Sequence, residues 1–190
     1  MYVQKAATSI PNRSARRTFK ILMDDYEALE QLDPTSSKDL LKAHELLIAG
    51  LIDQAGVYRS GSVGVAQGKE IIHLAPPAER VPFLIKDLLD WLKKTEEHPV
   101  VASCVFHDEF EFIHPFADGN GRMGRLWQTL ILREWKALFA SLPVETIIRD
   151  RQAIYYKKLA ESDNTGKATI FVEFMLEAIK ESIQQAISTD

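Results

Sequence analysis

Four side chains in one short window carry chemistry: the imidazole of His114, the carboxylate of Asp118, and the guanidiniums of Arg122 and Arg125. Pro115, Gly119, Asn120 and Gly121 stand among them, so the window reads as a turn. These residue types at this spacing point to phosphate. A helix that begins near Asn120 offers unpaired backbone N–H groups and a positive dipole end to the turn. Gly119 and Gly121 let backbone approach an anion closely and permit positive φ, so successive N–H groups can form a nest. Arg122 and Arg125 lie three positions apart, on one side of a helix, where their forks suit phosphate oxygens. Asp118 is a hard oxygen ligand, and Mg²⁺ binds through one or two carboxylates together with substrate phosphates. His114, with an ordinary pKa near neutrality, is the candidate general base.

Two helices must hold this turn. Residues 100–113 ahead of it are largely apolar, and residues 126–135 behind it are apolar and free of Gly and Pro. Cys104 sits in the first run and reads as a core residue. His107, seven residues before His114, reads as a structural, hydrogen-bonded histidine, since Asp118 is the one hard ligand within the loop. Glu109 and Glu111 are two positions apart and so fall on different helix faces. They read as solvated groups or as partners for arginines, not as an acid/base pair.

From 114 to 125 the chain reads HPFADGNGRMGR, and every specified position of the pattern His-x-Phe-x-Asp/Glu-Gly-Asn-Gly-Arg-x-x-Arg is matched. On these residues the chain resembles the Fic family. The resemblance implies an all-α, mostly helical fold with one small β-hairpin flap. It implies a nucleotidyltransferase that moves AMP from ATP to a hydroxyl of a target protein, with Mg²⁺ or Mn²⁺ as cofactor. His114 would be the base, Asp118 the metal ligand, and Gly119, Asn120, Gly121 and Arg122 the phosphate cradle, with Arg122 and Arg125 as cationic clamps. Phe116 and Tyr155 are placed with the nucleotide by the same resemblance; Tyr156, Asp163 and Asn164 are weaker candidates. Removal of AMP, transfer of another phosphate-containing group, and a non-catalytic peptide-binding module are the rival functions. Intact His114, Asp118 and both arginines argue against the last.

The chain has 190 residues, enough for one domain with a substantial core. Hydrophobic residues at 46% and charged residues at 26% are ordinary for a soluble globular chain. A formal charge of −4 argues against a nucleic-acid-coating protein, and one cysteine excludes an intrachain disulfide. There is no long apolar run and no secretory h-region. A cytoplasmic protein is expected, with no membrane or nucleic-acid partner. The expected organisation is a single domain over 1–190, its core at about 40–180, with residues 1–18 a polar arm.

In chain order, apolar residues at helical spacing predict a helix over 19–32, and Thr35, Ser36 and Ser37 offer an N-cap for a helix over 38–52. His44 on that helix's apolar face reads as a packing histidine. Residues 62–74 read as a hairpin, with a turn at Gln67, Gly68 and Lys69. Its lead-in, Gly56-Val57-Tyr58-Arg59, resembles the one before the Fic flap, where Val63, Gly64, Val65 and Ala66 would dock a target chain along an exposed edge. Helices follow over 81–95, 147–159 and about 170–187.

Fic enzymes are commonly held off by a helix with the pattern Ser/Thr-x-x-x-Glu-Gly/Asn, whose glutamate pairs with the second motif arginine. The final helix does not carry it, and near the start Pro11 stands where the acid would be. Three alternatives stay open: inhibition comes from a partner chain, is absent, or is exerted differently by the N-terminal region. The candidate partners are a target protein, a separate inhibitory antitoxin chain as in a toxin–antitoxin pair, and a second copy of the chain.

Overall fold

Two helices packed side by side carry both halves of the core. The computed structural model describes residues 2–5, 31–52, 54–67 and 70–188. The helix predicted over 19–32 lies outside these up to residue 30, as do Pro11 and the basic stretch at 12–17. Leu32, at that helix's end, is buried in the core.

Helix α1 is Ser37–Ile48. Ser36 caps it, its hydroxyl accepting from the Asp39 N–H at 3.2 Å. Leu40, His44, Leu47 and Ile48 are buried, as the spacing predicts. The helix stops four residues short of Ile52, where the Leu51 N–H turns back onto the Ile48 carbonyl at 2.9 Å.

Strands β2 (Val63–Gln67) and β3 (Glu70–Leu74) form the expected antiparallel hairpin. A further strand, β1 (Tyr2–Lys5), pairs in parallel with β2, from Tyr2 opposite Val63 to Lys5 opposite Ala66. The sheet order is β1-β2-β3. This corrects two expectations. Residues 2–5 are strand rather than polar arm, because the β2 edge supplies backbone partners that no local reading contains. Val63, Gly64, Val65 and Ala66 do not form an open docking edge, since β1 and β3 flank them on both sides.

A 3₁₀ turn at Ala78–Arg80 leads into α2, Val81–Lys94, with a proline in its first turn. Helices α3 (Pro99–Ile113) and α4 (Asn120–Trp135) flank the motif turn as the sequence predicts. A 3₁₀ segment at Ala137–Ser141 then precedes α5 (Val144–Asp150), α6 (Gln152–Thr165) and α7 (Thr169–Ser188). The single helix predicted over 147–159 is broken at Arg151, with φ −111° and ψ 27°. The Arg151 N–H is shared between the carbonyls of Ile147 and Ile148, and its guanidinium pairs with Glu181 on α7. A tertiary ion pair thus pins the corner. Residues 162–165, whose polarity suggests a loop, continue α6.

One apolar cluster joins α1, α2, α3 and α4 through Leu40, Ile48, Ile85, Phe106, Phe110 and Trp127. A second joins α3 and α4 to α5, α6 and α7 through Cys104, Leu132, Ile148, Phe171 and Met175. Burial of each such side chain contributes about 1.5–3 kcal/mol, so α3 and α4 are fastened from both sides. The turn between them is held by that double anchoring. Among the described residues, no helix is long and apolar enough to cross a membrane.

Candidate active site

His114 ends α3 in the left-handed region, φ 50° and ψ 61°, where non-glycine residues rarely sit. Such a conformation costs about 1–3 kcal/mol and persists only when its surroundings enforce it. Here they do. The His114 N–H closes the helix onto the Phe110 carbonyl at 3.0 Å. The His114 carbonyl accepts from Nε of Arg59 at 2.7 Å. Arg59 also donates to the carbonyls of Ile113, Gly61 and Pro76, and its N–H reaches the Pro115 carbonyl at 2.9 Å. One buried guanidinium therefore ties the base of the flap, at Gly61 and Pro76, to the backbone of the candidate base.

Phe116 drives into the core and stacks on His44, with centroids 3.7 Å apart. It anchors the loop from beneath, and its ring is fully buried, so the expected place beside a nucleotide is not where the structure puts it. Asn120 clasps the loop: Oδ1 accepts from the Phe116 N–H and Nδ2 donates to the Phe116 carbonyl, both at 2.9 Å. Its side chain is a brace, and only its backbone faces the helix N-terminus. Gly119 takes φ 86°, and a Cβ there would come within 2.5 Å of Ile48 Cδ1. His44 accepts from the Gly56 N–H at Nδ1 (2.9 Å), which leaves Nε2 to donate to the Asp118 carbonyl (3.0 Å). The packing role expected for His44 is what the structure shows, with burial holding its pKa down.

Asp118 accepts from the Gly119 N–H at 2.6 Å and stands 4.0 Å from Arg122, its side chain 47% exposed. Arg122 and Arg125 line a shallow cleft with Thr129, Val144 and Glu145. Nε of Arg125 lies 3.5 Å from Glu145, an acid on α5 that is followed by Thr146 and not by the Gly or Asn of the inhibitory pattern. Both guanidiniums line this cleft from the first turns of α4, directly after the loop that His114 opens.

Behind the mouth is a polar network in the core. His107 donates from Nδ1 to Gln128 Oε1 at 2.8 Å and accepts at Nε2 from the Tyr155 hydroxyl at 3.0 Å. Burial pushes its pKa down to about 3, so it is neutral and structural, as the sequence suggests. Tyr155 is 1% exposed, packs edge-on to Phe171, and has its hydroxyl engaged by His107. That corrects the expectation of a base or ribose contact: this tyrosine is a core strut. Glu111 is also buried, 8% exposed, and not solvated. Gly124 makes room for it, since a Cβ there would meet Glu111 Oε1 and His107 Cδ2 at 2.9 Å.

Arg59, Glu111, Gly124 and Glu145 escape a reading of the motif alone. Arg59 had a signal in its lead-in, Gly56-Val57-Tyr58-Arg59. Glu111 had one in its i, i+3 spacing to His114.

Fold and site together define a helical domain that presents a glycine-rich loop and a helix N-terminus with two arginines beside a buried histidine in the left-handed region. The chain belongs to the Fic/DOC family, whose profile matches residues 34–132. It is 35% identical over 123 residues to a probable protein adenylyltransferase of Aquifex aeolicus, covering 64% of this chain and 37% of that protein. It is 28% identical over 193 residues to a protein adenylyltransferase Fic of Nematostella vectensis, covering 95% of this chain and 42% of that one. The crystal structure of a Fic family protein from Desulfovibrio desulfuricans G20 superposes with a TM-score of 0.87 at 58% identity, over 95% of this chain and 56% of that chain. The chain thus spans less than half the length of these two curated relatives. Adenylyl transfer to protein is the activity their names carry.

Proposed function

We propose that this chain transfers AMP from ATP to a hydroxyl side chain of a target protein. One observation carries the reading: His114 is forced into a left-handed cap at the rim of a loop whose other rim is a helix N-terminus with two arginines. That arrangement supports reading His114 as a base beside an anion cradle. Phosphates would lie on the backbone N–H groups at Gly119–Arg122, with Arg122 and Arg125 compensating their charge. The target oxygen attacks the α-phosphorus while His114 takes its proton. The new O–P bond forms, the bond to the bridging oxygen breaks, and pyrophosphate leaves with the electron pair. The pre-set loop geometry supplies orientation.

Asp118 fits Mg²⁺ or Mn²⁺ by its donor set. It is a half-exposed carboxylate beside the phosphate cradle, and no cluster of three or more His, Cys, Asp or Glu stands among the described residues. That is the pattern for a cation shared with substrate phosphates, not for a protein-only cage. When bound, such a cation neutralises phosphate charge. Glu145 supplies an acid of the chain's own against Arg125, which competes with a phosphate for that guanidinium. A separate inhibitory chain would act at the same arginine.

The test is transfer of label from α-labelled ATP to protein in a cell extract, with Mg²⁺ or with chelator. His114→Ala should lower labelling about 10²–10⁴-fold while ATP still binds. Chelator and Asp118→Ala should each silence transfer. ATP binding without any transfer by the parent, in extracts of several cell types, overturns the proposal.

A further inference from the structure

Glu111 is out of place on chemical grounds. It sits in the last turn of α3, between the core residues Phe110 and Ile113, one turn on from the buried His107. Its Oε1 is buried and accepts no hydrogen bond. Desolvating a carboxylate without a partner is costly. A helix that wanted only packing here would carry an apolar residue.

What surrounds the carboxylate says what it serves. Oε2 stands 4.0 Å from Nδ1 of His114, one turn on along α3. Oε1 stands 3.9 Å from Nε2 of His107. That nitrogen is already the acceptor for the Tyr155 hydroxyl, so His107 cannot donate to Glu111. From α4, the Arg125 guanidinium attracts it. From α6, the Tyr155 and Tyr156 hydroxyls face it, and on α3 Asp108 repels it. Of the two imidazoles, His114 alone presents an N–H toward Glu111: its Nδ1 already leans on the Glu111 backbone carbonyl at 3.3 Å. Gly124 completes the case, because α4 is cut back where a Cβ would collide with Oε1.

We propose that Glu111 is a positioning residue for His114, a carboxylate held behind the ring to orient its Nδ1–H and to offset the charge the ring gains. This rests on the AMP-transfer reading. When His114 takes the target's proton at Nε2, the ring becomes a cation with Glu111 beside its far nitrogen. The carboxylate, through Oε2 at 4.0 Å, then faces a cation, so part of the desolvation cost carried by the resting protein is offset at the moment of transfer. Burial pushes the Glu111 carboxyl up to about 7, as such a withheld pairing requires. The group is therefore protonated more readily folded than unfolded, from an ordinary value of 4.5. Its contribution to stability is present below that value and is lost as pH rises toward 7.

The experiment uses the full chain with Glu111→Gln, which keeps shape and removes charge, and Glu111→Asp. The His114 ring is titrated by NMR without nucleotide, its signal assigned by loss in His114→Ala. Glu111→Gln should lower the His114 pKa by about one unit or more, and Glu111→Asp should restore part of it. With MgATP, kcat for labelling should fall about ten- to a hundredfold and the acid limb of the pH profile should move to lower pH. The ATP dissociation constant should stay within about twofold. Urea unfolding should show the parent losing stability between pH 4.5 and 7 more steeply than Glu111→Gln. An unshifted His114 titration overturns the proposal, and so does weakened ATP binding with parental kcat, which would assign Glu111 to Arg125. A parent that never transfers AMP defeats the functional reading alone, because the NMR titration still judges Glu111.

Discussion

The motif loop and the flap sheet are built on opposite principles. The loop is fastened at almost every residue: Phe116 and Asn120 from below, Gly119 against Ile48, Asp118 through His44, His114 through Arg59. Its side chains have little room to choose another geometry. The flap is a three-stranded ribbon whose base is gathered by one guanidinium at Gly61 and Pro76, and whose β2 edge is closed by β1. A small sheet of this kind is marginal by itself. Under the proposed function the difference matches two tasks. A reacting centre needs groups held within about half an ångström, whereas an element that docks targets must accept chains that differ in sequence. Arg59 belongs to both, so it is where the rigid part meets the adaptable one.

Three changes separate the two regions, in falling order of effect. Gly119→Ala attacks the loop. The added Cβ meets Ile48 at a backbone angle alanine avoids, so strain and overpacking should cost about 2–4 kcal/mol. Urea unfolding should show that loss, and ATP binding should weaken with it. A variant as stable as the parent would mean the loop is less fastened than its contacts indicate.

Arg59→Lys attacks the joint. A lysine cannot fork to four carbonyls at once. Labelling of extract proteins should fall about tenfold, roughly 1–2 kcal/mol for lost buried donors. The ATP dissociation constant should barely change, since Arg59 touches neither arginine clamp. Equal loss in both measurements would make Arg59 a support of the whole site and not a link to the flap.

Val3→Pro touches only the flap. It removes one N–H from β1 and disfavours strand pairing. If β1 occupies the edge a target strand would use, labelling of extract proteins should rise about two- to fivefold, within roughly 1 kcal/mol. Reduced labelling would instead make β1 part of the docking surface. Thermal unfolding should be nearly unmoved, because both apolar clusters lie in the helices.

The motif itself was legible without coordinates because its chemistry is contiguous. His114, Asp118, the glycines and the two arginines are neighbours in the chain, and the apolar runs on either side announce the helices that hold them. Helix α7 and the hairpin were legible for the same reason: local periodicity settles them. Less legible were boundaries that depend on a distant partner, such as the break at Arg151, where Glu181 holds the corner.

The sequence by itself therefore determined the helix–turn–helix, the family and the residue types at the mouth of the site. Tertiary structure alone decided which of them face a ligand. Phe116, Asn120 and Tyr155 look like binding residues in one dimension and are braces in three, because the core absorbs their side chains. Glu111 reads as solvated or as a partner for an arginine; it is buried with Arg125 attracting it, because Gly124 leaves room for it on α4. β1 looks like part of a polar arm and is a strand, because its hydrogen-bond partners lie some sixty residues away at Val63–Ala66. Burial and pairing are properties of two surfaces meeting, and one-dimensional spacing carries information about only one of them.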